Sequence, residues 1–131
     1  MQPRDYRDLR VWTASIDLAV RVCAITASFP RAELFVMTSQ MRRAALSVAS
    51  NTAEGNARTS TGEFLRFLSV ARASLAEPDT QFVIAGRLCH ASGDVVDAAR
   101  SAINVNARMV KRLEQVLHRR LETPDGEANH S

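Results

Sequence analysis

Apolar residues in this chain recur every three or four positions, with no stretch that alternates residue by residue. Leu9, Trp12, Ile16, Ala19, Val20, Cys23 and Ala27 keep one helical face. Val11, Leu18, Val22, Ile25 and Phe29 mark a second, which leaves a narrow polar strip of Arg10, Thr13, Asp17 and Arg21. The spacing predicts a first helix from about Asp8 to Ser28. A helix in a monomeric bundle needs one apolar stripe, so two stripes imply burial on two sides.

Punctuation divides the rest. Pro30 in "FPRAEL" cannot extend the first helix without losing a hydrogen bond and suits a new start. Thr38 is placed to cap a second helix, "TSQMRRAALSVASNTAEG", with Gly55 as its left-handed terminator. Ser60 and Glu63 have capping-box spacing, so a third helix begins at Thr61 and runs to about His90, interrupted at Pro78. In "ASGD", Gly93 reads as the terminator and Asp94 as the next cap. The fourth helix spans about Val95 to Leu121. Val96, Ala99, Ile103, Val110, Leu113, Leu117 and Leu121 lie on one face, and Ala98, Ala102, Val105, Met109 and Val116 on another. Four helices with short connections make an all-α, antiparallel up-down-up-down four-helix bundle over residues 1–121. The polar segment 122–131 reads as a disordered tail.

The second helix carries an unusual strip. At about 100° per residue, Gln40, Arg43, Ser47, Ser50, Asn51 and Glu54 share one arc of about 100°. Serine and asparagine are weak helix formers, and a solvated face usually prefers Lys, Glu or Gln. Small polar residues permit close approach of another helix. The strip suits a hydrogen-bonded seam within the bundle or between subunits; a solvated face and a ligand surface stay open. Arg42 falls between Ala49 and Ala53 in angle, and Arg72 between Leu68 and Leu65. Each either snorkels to solvent along its stem or needs a carboxylate, for which Glu54 and Glu77 are the candidates.

Charge and composition narrow the function classes. Net charge is +3, and residues 41–75 alone hold Arg42, Arg43, Arg58, Arg66 and Arg72 against Glu54 and Glu63. That excess is either ordinary surface or a patch for an acidic partner such as nucleic acid. Cys23 and Cys89 lie among apolar residues and read as small core hydrophobes. His90, His118 and His130 are scattered, and no His/Cys/carboxylate spacing resembles a metal site. No metal or other cofactor is expected. No run reaches the roughly 18 apolar residues of a membrane span, and "MQPRDYRDLRVW" has no apolar signal core. A cytoplasmic protein is the expectation.

The ordered motifs resemble a known family. Asp8, Leu9, Val11 and Trp12 open the pattern, followed by Phe29, Pro30 and Glu33. Gln40, Arg43, Ala44, Ser47, Asn51, Ala53, Glu54 and Gly55 continue it. Arg58, Glu63, Phe64, Phe67, Leu68, Ala71, Arg72, Ser74, Leu75 and Glu77 complete it. Over roughly residues 6 to 120 the chain is similar to the bacterial four-helix bundle family, also called the 23S ribosomal RNA intervening-sequence protein family. It departs at Ala73, where the family often has glycine, at Thr52, where it favours isoleucine, and at Pro78.

The resemblance implies a small helical protein that assembles as a ring-like homopentamer. Some members are encoded inside insertions in ribosomal RNA genes. A related branch, the accessory variability determinant of diversity-generating retroelements, is a basic pentamer that binds a reverse transcriptase and nucleic acid. The first functional expectation is therefore a non-enzymatic oligomeric accessory that binds RNA, or a nucleic-acid enzyme, with Arg42, Arg43, Arg58 and Arg66 on phosphates. Ser47, Asn51, Glu54, Arg72 and Glu77 then form a structural polar network. The alternative is a protein–protein scaffold. An enzyme would need Ser47, Asn51 and Glu54 to converge in a pocket, and no catalytic residue is expected.

Overall fold

The computed structural model describes Tyr6 and residues 9–122. Among these it contains four α-helices and no strand: α1 Arg10–Thr26, α2 Ser39–Asn56, α3 Thr61–Arg87 and α4 Gly93–Glu122. Asp8 and residues 123–131 of the expected tail lie outside the described residues, while Glu122 ends α4 rather than opening that tail.

Side-chain pairs between helices fix the antiparallel order. Across α2 and α3, Gln40 meets Gln81 and Ser47 meets Ser74, so one number rises as the other falls. Across α3 and α4, Arg72 meets Glu114 and Asp79 meets Arg100. Arg42 reaches Thr26 of α1, and Asn106 reaches Ser15 of α1. Each helix packs on its sequence neighbour, and α4 closes back on α1. The core takes Val22 from α1, Met41 and Val48 from α2, and Leu68, Leu75 and Phe82 from α3. Val110 and Leu117 complete it from α4. Burying one such large side chain contributes about 1.5–3 kcal/mol.

Several boundaries differ from the sequence expectation. Thr38 is no cap: it is buried in helical conformation at the end of a π-helical turn, Leu34–Thr38, that runs into α2. A short 3-10 turn, Arg31–Glu33, precedes it. Gly55 does not end α2 in a left-handed conformation, since no glycine among the described residues has positive φ. It is needed for contact: a Cβ there would stand 2.7 Å from the Phe67 Cβ and 2.9 Å from the Phe64 ring. Ser60 does cap α3, its hydroxyl accepting from the Glu63 N–H at 3.1 Å. At Pro78 the helix continues. Proline offers no N–H to the Ser74 carbonyl, and its ring is buried in the core instead.

The exit from α3 is made by Cys89, not Gly93. Cys89 has φ 60°, the left-handed conformation that favours glycine. Its N–H donates to the Gly86 carbonyl, and the His90 N–H to that of Ala85. These two bonds are the Schellman arrangement. Ser92, rather than Asp94, then receives the Val95 N–H at 3.2 Å and caps α4. The His90 ring lies 2.8 Å from the Glu33 carboxylate and packs on Phe29, which ties the α1–α2 connection to the α3–α4 turn.

Candidate nucleic-acid interface

The polar strip of α2 faces α3. The Ser47 and Ser74 hydroxyls share a hydrogen bond of 3.1 Å, and the Asn51 amide donates to both the Ser47 carbonyl and its hydroxyl, at 2.8 and 2.9 Å. Gln81 donates to Gln40 at 3.2 Å one end along. The seam reading therefore describes Ser47 and Asn51, which are half-buried. Small side chains let the two helices approach closely here, and their hydroxyl and amide groups satisfy one another. Glu54 and Glu77 are exposed and stand apart from this network. Glu77 lines the same open polar groove, of about 460 Å³, as Arg43, without forming an ion pair with it.

Neither expected carboxylate partners the arginines that break the apolar pattern. Arg42 stays half-buried without an acid: its Nε donates to the Thr26 hydroxyl at 2.9 Å and its Nη2 to the Cys23 carbonyl at 3.4 Å. Arg72 pairs across the bundle with Glu114, at 2.8 and 3.3 Å. This bidentate fork, and the charge behind it, raise the Arg72 pKa above the ordinary arginine value. A raised arginine pKa stabilises the fold at every pH below the unfolded value, and the contribution fades only in strongly alkaline solution. Glu114 is nearly buried and depends on that fork.

The other two expected phosphate contacts are already occupied. Arg66 Nε lies 3.0 Å from Glu63, and Arg58 lies 3.7 Å from Glu54. Both guanidiniums also sit over the Phe67 ring, 4.7 and 4.8 Å from its centroid. Exposed ion pairs of this kind hold by about 0–1 kcal/mol. Of the four, only Arg43 is both exposed and free of an ion pair among the described residues.

Sequence reasoning missed a second, denser source of positive charge, on α4. From Asn104 to Glu122 it carries Arg108, Lys111, Arg112, Arg119 and Arg120 against Glu114 and Glu122, and Glu114 already serves Arg72. Arg108 and Lys111 are exposed and make no ion pair among the described residues. Their three-residue separation on a single helix was a readable signal. Arg10, Arg108 and Arg112 also rim an open groove of about 470 Å³ between α1 and α4, floored by Leu9, Val11, Val105, Met109, Leu113 and Val116.

Ser47, Asn51 and Glu54 do not converge on a common point, because the first two bond to each other and Glu54 turns to Arg58. Among the described residues no three His, Cys, Asp or Glu side chains are placed to share a metal ion. No helix among them is long and apolar enough to cross a membrane.

A family model described as 23S rRNA-intervening sequence protein matches residues 7–112. The fold is similar to a crystal structure from Bacteroides thetaiotaomicron, described as a protein with unknown function from the S23 ribosomal protein family. That likeness has a TM-score of 0.71 at 18% identity and covers 79% of this chain and 97% of the other. Among curated proteins, none matches this sequence.

Proposed function

The chain belongs to the 23S rRNA-intervening sequence protein family, and from that premise we propose that it is a non-enzymatic, self-assembling helical-bundle protein that holds RNA through its phosphates. The observation that carries this reading is the unpaired charge on α4. Arg108 and Lys111 are exposed and make no ion pair among the described residues, whereas Arg58 and Arg66 each make one. Cations of this kind bind phosphate without regard to sequence. Self-assembly is supported by the apolar positions of α1 and α4 that lie off the core-facing stripe and that the bundle leaves exposed: Val20 is 64% exposed and Val105 44%. An assembly repeats the α4 cations around its surface, so weak contacts add through effective concentration.

Fluorescence anisotropy of labelled single-stranded RNA at several salt concentrations tests the reading. Affinity falls steeply with salt, and each lost phosphate contact lowers the log–log slope by roughly 0.7. Arg108→Glu with Lys111→Glu has the larger effect, and Arg58→Glu with Arg66→Glu the smaller. Absence of binding at low salt, with the assembly intact, overturns RNA binding and leaves the protein-scaffold reading.

A further inference from the structure

The α2/α3 seam is a ladder with one open rung. Ser47 meets Ser74 at 3.1 Å, and two helical turns away Gln81 donates to Gln40 at 3.2 Å. In the register these two contacts set, Glu77 of α3 stands level with Arg43 and Ala44 of α2. Spacings of three and four residues keep Gln40, Arg43 and Ser47 on one face, and Ser74, Glu77 and Gln81 on the face opposite. Arg43 and Glu77 carry opposite charges, yet neither makes an ion pair or a hydrogen bond among the described residues. The groove of about 460 Å³ opens between them.

The two walls differ in what they offer. On α2 the Arg43 guanidinium has its donors free, and Gln40, whose oxygen accepts from Gln81, keeps its N–H groups unengaged. On α3 the Glu77 carboxylate is free, and the Ser74 carbonyl lacks its helical donor because Pro78 has no N–H. The Gln81 Oε1 is buried without a partner at the same wall. One wall therefore donates beside a positive charge, and the other accepts beside a negative one. A phosphate on Arg43 would meet Glu77, and no aromatic side chain lines the groove to stack a base. The outer rungs stand about 10 Å apart along the helices, which limits the occupant to a small solute.

We infer that this groove binds a small amino carboxylate, a free α-amino acid in its zwitterionic form, with the carboxylate on Arg43 and the ammonium on Glu77. Hydrogen bonds to charged groups are the strong ones, and a solute bearing both charges engages both walls and leaves neither charge unmatched. Every lining residue belongs to α2 or α3. The site is thus complete in one chain and depends on neither the self-assembly nor the α4 cations proposed above.

Saturation-transfer difference NMR on the full chain tests this, with the free α-amino acids as probes at millimolar concentration. Zwitterionic amino acids with polar side chains show transfer. Their N-acetyl and carboxamide forms, which each lack one charge, bind about tenfold more weakly. Arg43→Gln and Glu77→Gln each weaken binding by about tenfold. Their thermal melting curves match the native chain, because both side chains are exposed. Absence of transfer from every amino acid overturns the inference. So does undiminished binding in Glu77→Gln, which would make the groove a plain anion site. Displacement of the amino acid by a short single-stranded RNA also overturns it and assigns Arg43 to phosphate. RNA anisotropy that is unchanged in Arg43→Gln keeps the two readings separate, so either can fail while the other stands.

Discussion

The α2/α3 seam and the α1/α4 seam are built from the same periodicity and finished differently. Between α2 and α3 the chain uses small residues and paired polar groups: Gly55 against Phe64 and Phe67, Ser47 against Ser74, and Gln81 donating to Gln40, although the Gln81 Oε1 is itself buried without a partner. Between α1 and α4 it uses larger apolar residues, leaves a groove, and supplies one buried polar bond, from Asn106 to Ser15 at 3.3 Å. A seam complete within one chain needs shape and polar satisfaction at once. A seam with apolar area to spare supports the self-assembly proposed above.

Substitutions separate the two. Gly55→Ala gains about 1 kcal/mol of helix propensity but forces a Cβ into the Phe67 stem, and overpacking costs about 1–3 kcal/mol. Net destabilisation by urea denaturation is the expected result; stabilisation would show that the α2/α3 seam has slack. Arg72→Ala comes next, leaving Glu114 nearly buried without its partner. Loss from a fully buried pair runs to about 3–5 kcal/mol, and the half-exposed Arg72 side chain reduces this to about 1–2 kcal/mol, read from the same denaturation curves. Cys89→Gly relieves the left-handed backbone at the end of α3 and raises stability by about 0.5–1 kcal/mol. Val105→Glu sits in the unfinished seam and changes chain stability by no more than about 0.5 kcal/mol. It instead lowers the assembled mass on light scattering. A large loss of monomer stability at Val105 would mean that this seam, too, is completed within the chain.

Much of this contrast was legible in the sequence. Helix number and order followed from periodicity and turn residues, and the Ser60–Glu63 cap was readable directly. The two-striped character of α1 and α4 was also visible, since Val20 and Val105 fall outside the arcs of their core neighbours. What escaped was pairing at long sequence separation. Glu114 and Asn106 continue the three-and-four spacing of Ile103, Val110 and Leu117, yet a polar residue on an apolar stripe does not announce its partner. Arg72 was assigned nearby acids because chain distance was the only ruler available. Helix ends misled in another way. Gly55 and Gly93 were read for their backbone freedom, whereas one is required by side-chain contact and the other simply begins a helix. The exit by Cys89 had no local signal, because a left-handed cysteine is uncommon.

The Asn106–Ser15 bond joins residues 91 positions apart in the chain. Closing a long loop costs entropy before contacts repay it, so the α1/α4 seam is expected to open ahead of the α2/α3 seam and to expose α1. Its amides should exchange with deuterium through local opening, ahead of those in α2 and α3. In the self-assembly proposed above, a neighbour covering the groove would slow that opening. Exchange protection along α1 should thus rise with protein concentration, while protection in α2 and α3 stays constant, and the time course of labelling becomes a direct clock for assembly.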